Sequence, residues 1–277
     1  MKIDSHHHLW KYRALDFPWI ERSLPPLRRD FSADEFEATS RRAGYNGSIA
    51  IQARQSLDET RFLLETTRNR PFIRAVVGWV DLRSADLESQ LDEFEGSRLV
   101  GGRHVVHDEP DDFLQRPEVL RGLRVVERRG LTFDLLLFPR HLRPVASVVT
   151  KFPRMTFILD HLGKPLEDPS MTLADWRRDI GELSRCSNVA VKASGFVTES
   201  SPGHWDQVTI QSVLDTAFEL FGPSRVLASS NWPFSELAGT YSWAMGWLER
   251  YVELFPAPIS KQVLGENAIR VYGLDPS

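Results

Sequence analysis

Three consecutive histidines stand near the start of the chain, in the stretch IDSHHHLW that spans residues 3–10. In a β-strand, side chains two positions apart point the same way, so His6 and His8 can share one target while His7 points oppositely. Neutral imidazole is a common ligand of zinc and similar ions. A tag remnant or a solvated histidine pair is the alternative, but these histidines follow an alternating apolar start and precede Leu9 and Trp10. We therefore predict that His6 and His8 belong to a functional site.

Two further stretches carry side chains suited to chemistry. His161 follows an apolar run at the point where Gly163 and Pro165 force the chain to turn. We expect His161 to face a site, the alternative being a core histidine bonded to the backbone. Arg103 and His104 are adjacent, so only one of them can point inward from a strand. Arg103 is the better candidate for holding an anionic or polyhydroxyl substrate, because a guanidinium presents forked donors.

The elements that position these residues alternate between strands and helices. Strand-like runs are MKIDSHH, GSIAIQA, FIRAVVGWVDL, LVGGRHVV, LTFDLLLF, MTFILDHL, NVAVKAS and RVLASSNWP. Helical periodicity covers residues 33–43, 57–69, 86–96, 117–129, 142–152, 173–185, 205–221 and 240–254. Eight strand–helix units predict an α/β fold, a (β/α)8 TIM barrel. An open doubly wound sheet is the runner-up, and the absence of a G-x-G-x-x-G turn after the first strand weakens it.

The domain organisation follows from the same pattern. We find no composition break, linker or repeat, so residues 1–277 are expected to form a single domain. Residues 10–30 are rich in proline and aromatic residues and show little periodicity. We expect this segment to form a loop near the barrel mouth.

In a barrel, the C-terminal ends of the strands face one mouth, where catalytic groups gather. We expect Gln52, Arg103 and Lys192 to bind substrate hydroxyl or carboxylate groups there, with His104 as a further candidate contact. Trp10, Trp79 and Trp232 are expected to wall the pocket. Other polar residues at the strand ends are Asp4, Asp81, Asp134, Asp160, Ser194 and Ser230.

Composition limits the partners. The formal net charge is −4 and no Lys/Arg block stands out, which argues against nucleic acid. The single cysteine, Cys186, cannot form an internal disulfide, and no signal peptide is evident, so a cytoplasmic location is predicted. No apolar run approaches the roughly 20 residues of a membrane span. The expected partner is a small molecule, and the oligomeric state is left open, a homo-oligomer included.

Taken together, the motifs resemble the amidohydrolase superfamily, and within it the branch of sugar-acid lactonases that includes the L-fuconolactonases and L-rhamnonolactonases. No single motif is decisive, but the ordered set is specific and runs from residue 3 to beyond 240. The matching stretches are IDSHHHLW (D-x-H-x-H-x-W), IQARQSLDET, VGWVDL, GGRHVVHDEPDDFL, FDLLLFPRHL, FILDHLGKP, VKASGFVTE and SSNWPFSELAGTYSW.

The resemblance implies roles for the histidines. His6 and His8 match the family's first-strand pair, and His161 matches the histidine after strand six. In metal-dependent members such histidines hold a divalent ion, whereas in several lactonases they polarise the substrate carbonyl without an obligatory metal. The implied cofactor is therefore none, or one divalent ion, zinc foremost. A two-metal site is not implied, because strand four carries Gly-Gly-Arg-His and no counterpart of the carbamylated lysine.

One position departs from the family pattern. The family reads Gly-Ser-Asp-Trp-Pro after strand eight, and this chain reads Ser229-Ser230-Asn231-Trp232-Pro233. In relatives that aspartate is the general base. Asparagine has no titratable carboxylate, and losing a positioned base typically lowers a rate by about 10²–10⁴. Asn231 is either an engineered change or a natural variant, and the sequence does not separate the two.

Three functions remain in view. The first is hydrolysis of a carbohydrate-derived lactone, with Asn231 in the place of the catalytic aspartate. The second is a metal-dependent decarboxylase or hydratase of the same superfamily. The third is a binding protein for sugar acids that has kept the pocket and lost catalysis.

Overall fold

The computed structural model describes residues 1–165, 167–168, 170–196, 206–237 and 239–275. Eight parallel strands lie in sequence order in one sheet. They are β1 (Ile3–His7), β2 (Gly47–Ile51), β3 (Ile73–Gly78), β4 (Leu99–Val105), β5 (Thr132–Leu136), β6 (Phe157–Leu159), β7 (Val189–Ala193) and β8 (Val226–Ala228). Just beyond β8, the Asn231 N–H donates to the His6 carbonyl (3.0 Å) and brings the first and last strands together. The prediction of a single-domain (β/α)8 barrel is confirmed.

Helices follow the strands around the outside of the barrel. They are α1 (Ala33–Arg42), α2 (Leu57–Thr67), α3 (Leu87–Asp92), α4 (Pro117–Arg128), α5 (Leu142–Val149), α6 (Leu173–Ser184), α7 (Gln207–Phe221) and α8 (Tyr241–Val252). Each begins and ends within four residues of the predicted stretch, although residue 205, the predicted start of α7, lies outside the described residues. Ser32, Ser56 and Thr240 each accept the N–H of the third residue after them, which fixes where α1, α2 and α8 begin.

A C-terminal segment that the sequence did not predict closes the other end of the barrel. It consists of α9 (Ala257–Lys261), a π-helical turn (Gln262–Glu266) and α10 (Asn267–Val271). The approach to β1 is so close that a Cβ on Gly265 would lie 2.1 Å from the Met1 carbonyl oxygen. Beyond α10, the Tyr272 hydroxyl reaches into the barrel and donates to Asp134 (2.9 Å).

Apolar side chains fill two layers. One cluster, including Ile49, Val77 and Ile158, fills the half of the barrel interior nearer the C-terminal segment. A larger cluster lies between strands and helices. The strands are buried on both faces, as covered parallel strands require. Because the half of the interior nearer the C-terminal segment is apolar, the polar side chains gather at the C-terminal ends of the strands. Within the described part of the chain, none of the helices combines the length and apolar character that crossing a bilayer needs.

Candidate active site

The histidines of β1 separate as the strand alternation predicts. His6 and His8 are buried on the inner side, with their Nε2 atoms 3.1 Å apart. His7 points outward, where its Nε2 lies 3.1 Å from Ser48 Oγ and its ring stacks on Phe36 at 3.5 Å. His6 and His8 therefore face the same space inside the barrel, and His7 packs against Phe36 outside it.

His161 reaches the same space through an unusual turn. Directly after β6, His161, Leu162, Gly163 and Lys164 all have φ between 53° and 69°. The Lys164 N–H closes this left-handed turn on the His161 carbonyl oxygen (2.9 Å). Left-handed backbone costs a residue other than glycine roughly 1–2 kcal/mol, and such strain concentrates at functional sites. The turn brings the His161 ring centre to 4.5 Å from that of His6.

A hydrogen bond fixes the tautomer of His8. His8 Nδ1 lies 2.9 Å from the Ile51 carbonyl oxygen, which can only accept, so the proton is on Nδ1 and Nε2 keeps its lone pair. His161 Nδ1 contacts Ser194 Oγ (2.8 Å), which already receives the Ser229 hydroxyl. Burial lowers the pKa of His161 to about 3 and lowers the pKa values of His6 and His8 well below their usual range. The three imidazoles are neutral at physiological pH.

Beneath His6 lies a group of fully buried charges that we call the floor: Asp134, Asp160 and Lys192. Lys192 Nζ lies 2.9 Å from Asp160 Oδ1, is bonded to Asp134 and contacts His6 Nδ1 (3.1 Å). Arg103 connects the floor to the space above, because its Nη1 donates to Asp160 Oδ2 (3.0 Å). Burial alone would raise the pKa of Asp160, but Lys192, His6 and Arg103 hold it well below its ordinary value. For Asp134, burial outweighs Lys192 and raises the pKa to about 6.

Above the histidines lies a cavity of about 560 Å³, a size that suits a small molecule. Its wall mixes charged, polar and apolar side chains. Among the described residues it is lined by His8, Leu15, Asp16, Pro18, Trp19, Ala53, Arg54, Gln55, Arg103, Val105, His107, Asp108, Leu136, His161, Lys164, Glu167, Gly195, Asn231 and Phe234. Residues 15–19 lie in the segment expected to form a loop near the mouth.

Asn231 sits on this cavity with φ of +54°. Asparagine and aspartate adopt this region several times more readily than other residues with a side chain, so the backbone accepts either one. Its Oδ1 is buried and has no hydrogen-bond partner among the described residues. The position therefore keeps an oxygen acceptor in the place of the expected carboxylate.

The structure brings His8, Arg103, His161 and Asn231 to the cavity and places His6 directly beneath it. Gln52 and Lys192, also expected to bind substrate, are fully buried and do not line the cavity. The strand-end rule identifies the correct end of the barrel but does not give the depth of each side chain.

Four aromatic residues were also expected at the cavity and lie elsewhere. Trp10 and Trp232 are buried and pack on Phe31, so they fill the gap between the first loop and β8. His104 points away from Arg103, with Nε2 2.8 Å from Glu109, and receives the Trp79 indole N–H on Nδ1 (3.3 Å). The same alternation that brings Arg103 inward turns His104 outward.

Sequence reasoning missed several cavity residues, because they lie in irregular loops where no periodicity predicts direction. Among them are Trp19, Arg54, His107, Lys164 and Glu167. Lys164 could have been predicted from the motif FILDHLGKP, in which it stands three residues after His161.

The residues present fit one divalent metal ion. His6, Asp160 and His161 offer ligand atoms within 4.8 Å of one another, but both Asp160 oxygens already face cations. His8 lies beside this group, with a lone pair on Nε2, and Asn231 Oδ1 on the same cavity has no hydrogen-bond partner among the described residues. Nitrogen ligands of this kind suit zinc and similar ions.

Comparison with known proteins shows the family of this chain. A sequence model described as Amidohydrolase matches residues 3–274. An L-fucono-1,5-lactonase of Burkholderia multivorans is 35% identical over 288 residues, covering 99% of this chain and 96% of that protein. An L-fucono-1,5-lactonase of Burkholderia ambifaria is 31% identical, with coverage of 99% and 96%. A crystal structure of a Burkholderia multivorans amidohydrolase with bound Zn superimposes with a TM-score of 0.94 at 36% identity, covering 99% of this chain and 100% of that one. This chain belongs to the amidohydrolase family.

Proposed function

We propose that this chain hydrolyses the lactone of a sugar acid, of the L-fucono-1,5-lactone type, to the open hydroxy acid. The observation that carries the proposal is that His8, His161, Arg103 and Asn231 converge on one small cavity of mixed polarity. The names of the two relatives above 30% identity support the substrate class.

The geometry divides the work among the cavity residues. The water oxygen forms a bond to the lactone carbonyl carbon, and the carbonyl electrons move onto its oxygen. Arg103 brings a guanidinium to the cavity, which stabilises the negative charge that develops. The ring C–O bond then breaks, and the proton that the attacking water gave up passes to the departing ring oxygen.

The proton of the attacking water needs an acceptor. Asn231 can orient the water through Oδ1 but cannot take its proton. In the ion-free chain we assign that role to the His161 imidazole, which lines the cavity and whose pKa is lowered by burial to about 3. When bound, a divalent ion such as zinc would be held by His6, His8 and His161 and would polarise the lactone carbonyl.

The test is to follow proton release from a panel of aldonolactones with the native chain and Asn231→Asp. We expect both to exceed the uncatalysed rate, and the aspartate form to be faster by about 10²–10⁴. Addition of chelator followed by zinc shows whether an ion contributes. If both forms are inert on the lactones and on related esters, the proposal is wrong.

Asn231 itself favours one second function. A site with the pocket and without the carboxylate suits a protein that binds sugar acids and does not turn lactones over. Calorimetry would then show tight binding of aldonic acids to a native chain that releases no protons from any lactone.

A further inference from the structure

Two charged residues on the cavity wall have no role in the chemistry above. Lys164 stands at the end of the left-handed turn that begins with His161, and Glu167 follows three residues later. Both line the cavity, yet their side chains are only 7% and 2% exposed.

The two side chains form an ion pair inside the cavity wall. Lys164 Nζ donates to Glu167 Oε2 at 2.8 Å and lies 5.2 Å from the centre of the Phe138 ring. Two other contacting pairs of an acidic and a basic residue have both members on the cavity wall: Asp16 with Arg54, about a quarter exposed on each side chain, and His107 with Asp108, of which Asp108 is 68% exposed. Among the described residues, Lys164 and Glu167 are thus the most shielded ion pair whose two members both line the cavity.

This pair has unused hydrogen-bonding capacity. Glu167 Oε1 is buried without a hydrogen-bond partner among the described residues. A carboxylate oxygen in that condition gains free energy from a donor. The Lys164 ammonium has three N–H groups, of which Glu167 Oε2 takes one. The terminal torsion of a glutamate is soft, so Oε1 can turn towards a ligand at small cost.

The charge of the pair decides which ligand group it suits. A lone lysine would favour a carboxylate, but Glu167 cancels the charge of Lys164 and repels an anion. A hydroxyl group can donate to Glu167 Oε1, and its neighbour can accept from Lys164 Nζ. Neighbouring hydroxyl groups are what the ring of a sugar-acid lactone carries.

We propose that Lys164 and Glu167 form a subsite that binds two neighbouring hydroxyl groups of the substrate and so selects polyhydroxylated lactones over unsubstituted ones. The inference rests on the proposed function for the identity of the ligand. The strained turn at 161–164 explains the placement, since it sets this pair beside His161.

The test compares a polyhydroxylated aldono-1,5-lactone with δ-valerolactone, which has the same ring and no hydroxyl groups. Glu167→Gln and Lys164→Met are made in the native chain and in Asn231→Asp. We expect kcat/KM for the hydroxylated lactone to fall roughly 5- to 100-fold, mainly through KM, because a buried polar group is left without its partner. The rate with δ-valerolactone should stay the same.

A matched control is Glu65→Gln, which removes the same carboxylate from an exposed pair with Arg68, also three residues apart. It should change neither substrate. An equal loss on both lactones with Glu167→Gln would overturn the proposal and assign Glu167 to the chemistry. No loss on either lactone would also overturn it and leave the pair a purely structural one.

Failure of this proposal can be told apart from failure of the lactonase proposal. Calorimetric titration with an aldonic acid requires no turnover. Weaker binding to Glu167→Gln than to the native chain supports the subsite even if every form is inert on lactones. Unchanged binding overturns it even if the native chain hydrolyses lactones well.

Discussion

The two sides of the histidine cluster differ in how their polar groups are paired. On the floor, Asp160 Oδ2 accepts from Arg103 (3.0 Å), and Asp160 Oδ1, which has no hydrogen bond among the described residues, still lies 2.9 Å from the Lys192 ammonium. Lys192 and Tyr272 both contact Asp134. On the side that we call the ligand wall (His161, Lys164, Glu167 and Asn231), the Glu167 and Asn231 side chains each keep one buried oxygen without a hydrogen-bond partner among the described residues. Charges that pair with one another stabilise the fold. Buried acceptors beside a cavity can instead gain hydrogen bonds from a bound ligand.

The comparison also explains the unequal depth of the predicted binding residues. Lys192 and Arg103 are both strand cations, but Lys192 is enclosed by carboxylates and Arg103 opens onto the cavity. Changes to the floor should therefore be felt first as stability, and changes to the wall first as activity.

The largest effect is expected from Lys192→Met. The change leaves Asp134 and Asp160 buried without the lysine between them, and breaking a buried ion pair from one side costs about 3–5 kcal/mol. The free energy of unfolding in urea measures it. Adding Asp134→Asn should recover part of the loss. A loss within the 1 kcal/mol or so of an exposed pair would contradict the account of the floor.

A pH-dependent change in stability is expected from Glu59. Its carboxyl group accepts the N–H of the cavity-lining residue Ala53 (3.0 Å). Burial raises its pKa from 4.5 to about 7. Between pH 4.5 and 7 the folded chain thus keeps a proton on Glu59 that the unfolded chain releases. The free energy of unfolding is therefore highest below pH 4.5 and falls as the pH rises towards 7. In Glu59→Gln the loss, on the order of 3 kcal/mol, should disappear.

Unfolding of native protein and Glu59→Gln at pH 5 and pH 8 checks this, because other groups titrate equally in both. The stability of the variant relative to the native chain should be higher at pH 8 than at pH 5. The same difference at both pH values would show that Glu59 does not hold a proton in the folded chain.

A smaller effect is expected from Gly195→Ala, which crowds His161 in the ligand wall and alters no charged group. Gly195 has φ of +77°, and a Cβ there would lie 2.5 Å from His161 Cβ. Gly195→Ala is expected to lower stability by roughly 1–3 kcal/mol through crowding. Lactone turnover should fall by up to about 10²-fold, because a shift of about 1 Å in a reacting group is enough for that. Full activity of the folded variant would mean that the exact position of His161 is unimportant.

The smallest effect is expected outside both regions. Trp79→Phe removes the indole N–H that reaches His104 and should cost about 0.5–1.5 kcal/mol of stability. Because Trp79 does not line the cavity, KM for a lactone should not change. A raised KM would restore the original expectation that this residue walls the pocket.

The sequence predicted the barrel well because covered parallel strands and amphipathic helices have clear periods. The same period of two separated His6 and His8 from His7. It did not predict α9 and α10, which are five residues each and too short to show a period. Nor did it predict the left-handed turn at 161–164, since three of its four residues are not glycine. The Lys164–Glu167 pair depends on that turn and was missed with it.

The most direct test of the contrast between floor and ligand wall is a crystal structure of the native chain with an aldonic acid bound. We predict that the acid lies against His161 and Asn231, with hydroxyl groups bonded to Lys164 and Glu167, and that the ion pairs of Lys192 are unchanged. An acid bound away from this wall, or one in direct contact with Lys192 or Gln52, would contradict the account.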